Sequence, residues 1–135
     1  MARTPSTQRL PLGQPVPDFT LPDPSGNSFR LRELAKGKPT VVMFACNHCP
    51  YVVHVREAFG RLAKEFQARG VAFVAINSND AIQYPEDAPA LMPVFAKSGG
   101  WNFPYLVDET QQVARAWHAA CTPDLFVLDP GGQLA

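Results

Sequence analysis

The sequence predicts an α/β domain in which helices alternate with the strands of a central sheet. Residues 39–45 and 71–77 are continuous apolar runs with several β-branched side chains, which is typical of strands buried on both faces of a parallel sheet. Residues 50–70 lie between them and repeat apolar side chains every three or four positions, which indicates an amphipathic helix. Strand, helix and strand in this order form a right-handed βαβ unit.

The composition is that of one soluble globular domain. The chain has 135 residues, of which 46% are hydrophobic and 18% charged, so it can bury a core. Twelve basic residues balance twelve acidic ones, which gives no reason to expect nucleic acid or an anionic membrane as a partner. We find no signal-peptide core and no apolar run that could span a bilayer, so the expected location is cytoplasmic.

The first elements follow from turn signals. Residues 1–17 are polar and rich in proline and are predicted to form a loose arm, which leaves residues 18–135 as the folded domain. Residues 18–31 hold two short apolar pieces around Pro-Ser-Gly-Asn, which predicts a β-hairpin. A short helix follows. Pro50 suits the first turn of the long helix, where its missing N–H costs nothing.

The second half predicts two more helices and two more strands. In the order helix, strand, helix, strand they are expected over residues 90–100, 103–108, 108–120 and 124–129. Asp108, with Gln111 three positions later, fits an N-cap with a capping box. The last three residues are too few for a full partner strand, so the domain is expected to be truncated at its C-terminus and to expose a sheet edge at residues 125–128.

Two cysteines stand between the first buried strand and the long helix. A turn can hold Cys46 and Cys49 within disulfide reach. Unpaired N–H groups and the helix dipole stabilise a thiolate at a helix start, where the pKa of a thiol can fall from about 8.5 to about 3.5–7.5. We expect Cys46 to be the more exposed and to attack, and Cys49 to resolve the mixed disulfide. A protonated His48 would lower the pKa of Cys46 further and make the pair more oxidising.

Other interpretations of the pair stay open. Both cysteines could be inert and buried. A zinc site needs four ligands, and the chain has no second Cys-X-X-Cys; further ligands could come only from His54, His118 and Cys121. Copper(I), which accepts two thiolates, is the better metal alternative. The redox interpretation requires no metal and no other cofactor.

Several motifs together resemble a known family. The segments CNHCPYV, INSND, YPEDAP, FPYLVDETQ and CTPDLFVLD look like the bacterial redoxin group related to the AhpC/TSA class. The resemblance implies a thioredoxin-like fold: a three-layer sandwich with an N-terminal β-hairpin and a central mixed sheet, here without a C-terminal strand and helix. It also implies that Thr122 and Pro123 form a cis-proline element that docks substrate beside the cysteines. Cys121 would then lie close to the pair as a possible third redox thiol.

The same resemblance bears on the choice between disulfide exchange and peroxide reduction. Peroxiredoxins share a Pro-x-x-x-Thr-x-x-Cys pattern; with Cys49 as its cysteine, this chain has Val42 in place of the proline and Cys46 in place of the threonine. The predicted function is therefore thiol–disulfide oxidoreduction by dithiol/disulfide exchange. A peroxiredoxin-like thiol peroxidase and a copper-binding thioredoxin-like module are the alternatives. The expected partners are protein or small-molecule disulfides and a cellular thiol reductant, and the expected role is antioxidant.

No buried proton acceptor is expected from the sequence. The strand before the cysteines, residues 40–45, holds no acidic side chain. In the segment PEDAP, Glu86 or Asp87 is expected near the positive end of a helix rather than in an acid–base pair. Residues 78–89 could instead line a substrate groove.

Overall fold

The computed structural model describes residues 11–79, 82–119 and 122–135. Its strands are β1 (Thr20–Pro22), β2 (Ser28–Arg30), β3 (Thr40–Phe44), β4 (Ala72–Asn77), β5 (Tyr105–Val107) and β6 (Asp124–Leu128). Its helices are α1 (Leu31–Ala35), α2 (Pro50–Gln67), α3 (Met92–Ser98) and α4 (Gln112–Ala116), with two short 3-10 turns at Pro85–Asp87 and Pro89–Leu91. The elements follow the predicted order.

The main sheet has the strand order β5-β4-β3-β6 and is mixed, as predicted. β3 pairs in parallel with β4, and β4 with β5, whereas β6 runs antiparallel to β3. In this register Val42 lies opposite Val74 on one side and Phe126 on the other. β1 and β2 form the predicted hairpin as a separate two-stranded sheet. β3, at the centre, therefore delivers the cysteines to the middle of one sheet edge.

Each face of the main sheet carries its own core, which gives three layers. Met43 points into a cluster with α2, α3 and the aromatic residues around Trp101. Its neighbours in β3 point the other way, into a cluster with the hairpin, α1 and α4. Trp117 fills that second cluster and donates an indole N–H to the Pro17 carbonyl oxygen at 3.0 Å. The alternation of side chains along β3 thus fixes both layers.

The last helix begins differently from the prediction. Asp108 is not its N-cap: α4 starts at Gln112, after Gln111 in a left-handed conformation with φ of 64°. The Asp108 carboxylate still accepts hydrogen bonds from the N–H groups of Val113 (3.3 Å) and Ala114 (3.0 Å). The predicted capping box is therefore wrong, because the left-handed residue inserts a turn between the capping side chain and the helix.

The two ends of the described chain meet beside β6. Leu125 and Val127 are both 48% exposed, as expected for an edge strand. The Ala135 N–H nevertheless donates to the Val127 carbonyl oxygen at 2.8 Å, so part of this edge is paired. Gly13 N–H likewise donates to the Leu134 carbonyl oxygen at 2.6 Å. The part of the predicted arm that the structure describes is thus hydrogen bonded to the domain.

No helix in the described ranges combines the length and the apolar character that a membrane crossing needs.

One close backbone contact packs α2 against the end of α3, and it predicts a sensitive position. A Cβ atom on Gly60 would lie 2.1 Å from the Gly99 carbonyl oxygen. Gly60→Ala should therefore lower the free energy of unfolding by about 2 kcal/mol, since overpacking outweighs the gain of about 1 kcal/mol in helix propensity. Urea unfolding measures this change. Gly131→Ala is the matched control, because its new Cβ would meet its nearest atom at 3.4 Å. Equal stability of both variants would contradict the prediction.

Candidate active site

The two cysteines of the Cys-X-X-Cys motif lie between β3 and α2. Cys49 is the N-cap residue of α2, and Pro50 occupies the first helical turn as predicted. Both cysteines are free thiols, and both side chains are fully buried. The expectation that Cys46 is the more exposed is therefore wrong: the turn folds inward, and Cys46 and Cys49 both join the core cluster beneath α2.

One residue contacts both sulfurs. The Cys46 Sγ lies 3.4 Å from the Thr122 hydroxyl, and the Cys49 thiol donates to the Thr122 carbonyl oxygen at 3.1 Å. The peptide bond between Thr122 and Pro123 is cis. Thr122 thus bridges the two thiols from the start of β6, although the docking of substrate on Thr122 and Pro123 stays a prediction. Cys121 lies outside the described residues, and its role as a third redox thiol also stays a prediction.

A buried carboxylate that the sequence analysis missed holds the turn between the cysteines. Asp87 is 2% exposed. Its Oδ1 accepts hydrogen bonds from the backbone N–H groups of Asn47 and, at 3.3 Å, His48. Its Oδ2 contacts the His48 ring nitrogen Nδ1 and accepts from the Asn79 side-chain amide at 3.1 Å. The structure therefore corrects two expectations: a buried acidic group is present, and it pairs with His48, whereas the sequence analysis expected no acid–base pair here.

The error has a physical explanation. The strand before the cysteines holds no acidic side chain, whereas Asp87 belongs to a 3-10 turn forty residues beyond Asn47 in the chain. The signal that could have revealed it is the pair Pro85 and Pro89. Two prolines four positions apart prevent a regular helix between them and hold the intervening acidic side chains in a fixed turn.

A second set of contacts makes the turn rigid. The Asn47 amide donates to the Glu86 carbonyl oxygen at 2.9 Å and accepts from the Tyr105 hydroxyl at 3.0 Å. The His48 ring stacks on Tyr84 with 4.5 Å between ring centroids. Every side chain between the two cysteines is therefore engaged with the segment around Asp87 or with β5.

The electrostatics of the site oppose a thiolate at Cys46. Burial, and secondly the negative charge of Asp87, raise the pKa of the Cys46 thiol to about 12, although the hydrogen bond to Thr122 acts in the other direction. The expectation of a lowered pKa is thus wrong for this state. Cys46 precedes the helix and is removed from water, so loss of hydration outweighs the helix dipole. Burial, with Cys46 and Asp87 as further causes, also raises the pKa of Tyr105.

Three side chains at the site could together offer ligands to a metal. One ligand atom each from Cys46, His48 and Asp87 lie within 4.8 Å of one another, and zinc accepts all three ligand types. His54 and His118, which were considered as ligands, do not belong to this group in the described part of the chain. His48 and Asp87 bond to each other here, and both Asp87 oxygens accept further hydrogen bonds. The copper alternative stays a prediction.

Comparison with known proteins agrees with this geometry. The sequence model of the AhpC/TSA family matches residues 12–135. The thiol-disulfide oxidoreductase ResA of Bacillus subtilis (strain 168) is 29% identical over 122 residues, which cover 90% of this chain and 64% of ResA. The chain thus spans less than two thirds of the length of this relative.

Solved structures define the fold. An uncharacterized conserved protein of Geobacillus kaustophilus is 48% identical, with a TM-score of 0.92 over 97% of this chain and 70% of that chain. The thioredoxin domain of a thiol-disulfide oxidoreductase from Bacteroides vulgatus is 18% identical, with a TM-score of 0.78 over 94% of this chain and 87% of that one. The second likeness concerns the fold alone. It confirms the predicted thioredoxin-like fold.

Removing the charge of Asp87 should change the reactivity of Cys46. Asp87→Asn removes a negative charge but keeps the shape of the side chain, so the pKa of Cys46 should fall below about 12. Alkylation by iodoacetamide at pH 8, in a background whose single cysteine is Cys46, should accelerate roughly tenfold, because the thiolate fraction rises tenfold per pKa unit. Glu86→Gln is the control, since only its backbone carbonyl contacts the turn. Equal rates in the two variants would show that the Asp87 charge does not act on Cys46.

Proposed function

This chain belongs to the AhpC/TSA family, and we propose that it is a thiol–disulfide oxidoreductase that works by dithiol/disulfide exchange between Cys46 and Cys49. One observation carries the proposal: both thiols contact Thr122, so that they lie together at one end of the sheet. The similarity to ResA, a thiol-disulfide oxidoreductase, supports it.

The reaction proceeds in two exchange steps. The Cys46 sulfur, after losing its proton, attacks one sulfur of a substrate disulfide, and the other substrate sulfur leaves as a thiolate that takes up a proton. The Cys49 sulfur then attacks Cys46 in the mixed disulfide, releases the second substrate thiol and closes the Cys46–Cys49 bond. Two electrons pass from the dithiol to the substrate, and a cellular thiol reductant must restore the dithiol.

The contacts of the two sulfurs support these roles. The Cys49 thiol donates to a carbonyl oxygen, so its hydrogen bond requires the protonated form. The Cys46 sulfur lies beside the Thr122 hydroxyl, which can donate to a thiolate when one forms. Cys46 is thus the proposed nucleophile, and Thr122 the residue that stabilises its charge. His48 is a positioning residue, because its ring and its backbone N–H both contact Asp87.

The electrostatics favour the reducing direction. A strongly oxidising dithiol protein gains stability in its reduced form from a stabilised thiolate. Here burial and the Asp87 carboxylate disfavour that thiolate and raise the pKa of Cys46 to about 12. Reduced Cys46 therefore carries a neutral thiol, which favours donation of electrons to a substrate disulfide and suits a reducing compartment such as the cytoplasm. The expectation that His48 makes the pair more oxidising is not supported, since His48 is paired with Asp87.

The peroxidase alternative gains no support from the site. Val42, which replaces the proline of the peroxiredoxin pattern, is fully buried in β3 and packs into the core cluster on the face away from Cys49. This position therefore offers nothing to a peroxide that approaches Cys49, the cysteine that aligns with the peroxidatic one. The peroxidase alternative stays a prediction, and we expect this chain to react with hydroperoxides no faster than a free thiol does.

Substitution of each cysteine tests the roles. Cys46→Ser should abolish the reduction of a model disulfide, because the attacking sulfur is lost. Cys49→Ser should accumulate a mixed disulfide at Cys46, visible as a mass increase equal to half of the substrate. Cys121→Ser shows whether the third thiol takes part. If Cys46→Ser still reduced the disulfide, the assignment of Cys46 as the nucleophile would be wrong.

The pH dependence of the reduction potential tests the protonation state. Because the pKa of Cys46 is raised to about 12, Cys46 should keep its proton through the neutral range, and the hydrogen bond from Cys49 to the Thr122 carbonyl oxygen is made by its S–H form. The potential should then fall by roughly 60 mV per pH unit between about pH 5.5 and 8, which is the slope of a two-electron, two-proton couple. Equilibration with a glutathione or dithiothreitol buffer measures it. A slope near ~30 mV per pH unit would indicate a thiolate and contradict the prediction.

A further inference from the structure

Two cavities are each lined by a residue that lies close to the buried sulfur of Cys46. The first, which we name the cationic cavity, has a volume of about 220 Å³ and is lined by Arg115, His118 and Thr122 over an apolar floor. The second, the acidic cavity, has a volume of about 460 Å³ and is lined by Asp87 and Glu109. Both cavities therefore end on a residue of the active site.

Cys46 lies near one lining residue of each cavity. Its Sγ is 3.4 Å from the Thr122 hydroxyl, on the side of the cationic cavity. It is also within 4.8 Å of an Asp87 carboxylate oxygen, on the side of the acidic cavity. Asn79 and Gln111 line both cavities, so the cavities share a wall of two amide side chains. A molecule bound at this wall contacts both cavities.

The basic and acidic side chains are segregated between the two cavities, and Arg115 and Glu109 form no ion pair among the described residues. Among the described lining residues, the cationic cavity holds no carboxylate and the acidic cavity no basic side chain. The Arg115 guanidinium donates one hydrogen bond, to the Thr110 carbonyl oxygen at 2.7 Å, and has four further N–H groups to offer. Both charges are thus available to a ligand.

The backbone around the cationic cavity is also unusual. Gln111 and His118, at the two ends of α4, both have left-handed backbones, with φ of 64° and 57°. Such a conformation in a residue other than glycine costs about 1–3 kcal/mol and is concentrated at functional sites. Two of the three such residues in the described chain line the cationic cavity. The strained ends of α4 hold the helix that carries Arg115 beside Thr122.

We propose, given the dithiol exchange proposed above, that the substrate is a small dipolar disulfide of the amino-acid or short-peptide type. Its carboxylate binds in the cationic cavity beside Arg115, and its ammonium group binds in the acidic cavity beside Glu109. The disulfide between them reaches Cys46. A cavity of about 220 Å³ has room for about seven water molecules and so accepts a fragment of a few heavy atoms rather than a folded surface.

Charge-matched disulfides test this specificity on the reduced full chain. The panel comprises cystine, which carries both charges, a dithiodicarboxylate, cystamine, and the neutral hydroxyethyl disulfide. Each rate is divided by the rate of dithiothreitol with the same disulfide, which removes differences in intrinsic reactivity. Each matched charge should accelerate the reaction about fivefold, so that cystine reacts more than tenfold faster than the neutral compound.

Single substitutions locate the effect. Arg115→Gln should remove the preference for carboxylates and leave the preference for ammonium groups, whereas Glu109→Gln should do the reverse. Arg61→Gln and Glu57→Gln, at exposed positions of α2 that line neither cavity, are the controls and should change no preference.

The outcomes separate this proposal from the one on which it rests. If all four disulfides react faster than with a free thiol but at equal normalised rates, exchange chemistry stands and the dipolar substrate is overturned. If insulin is reduced faster than every small disulfide on the same scale, the cavities serve a protein chain and the proposal also falls. If no disulfide reacts faster than with a free thiol, the proposed function itself is wrong.

Discussion

The site depends on one buried carboxylate that satisfies the turn between the cysteines. The backbone N–H groups of Asn47 and His48 have no partner in β3 or α2, and a buried unpaired N–H costs about 1–3 kcal/mol. Asp87 accepts both and thereby fixes the conformation that brings the two sulfurs to Thr122. The apolar environment that makes these bonds strong also excludes water from Cys46. Order in the turn and low acidity of its first thiol thus have the same origin.

Two opposing effects act on Cys46, and their balance decides the chemistry. A helix N-terminus stabilises a negative charge by typically 0.3–1 kcal/mol, whereas full burial can move a pKa by three to five units. The Asp87 charge adds to burial, and the Thr122 hydroxyl opposes it without compensating it. Reduced Cys46 therefore carries a neutral thiol. Reaction requires that an approaching substrate, or a shift of Asp87, change this environment.

Local sequence patterns predicted most of the fold, and they predicted the two cysteines of the site but not the carboxylate that contacts their turn. The apolar runs predicted β3 and β4, and the spacing of apolar residues predicted α2, because period and burial are local properties of the sequence. The start of α4 could not be predicted, since it depends on the left-handed backbone of one glutamine. Asp87 was harder to predict: the two backbone N–H groups that it accepts lie about forty residues away, and among local signals only the flanking Pro85 and Pro89 mark its turn.

The division of the site between two segments limits how it can be transferred. The sequence CNHC looks like a self-contained motif. Its two central side chains, however, are held by a 3-10 turn that lies between two prolines in another part of the chain. A protein engineer who moved only the cysteine turn to another scaffold would transplant its sulfurs without the carboxylate that sets their protonation. The smallest portable unit of this site is therefore discontinuous: one loop before α2 and a second after β4.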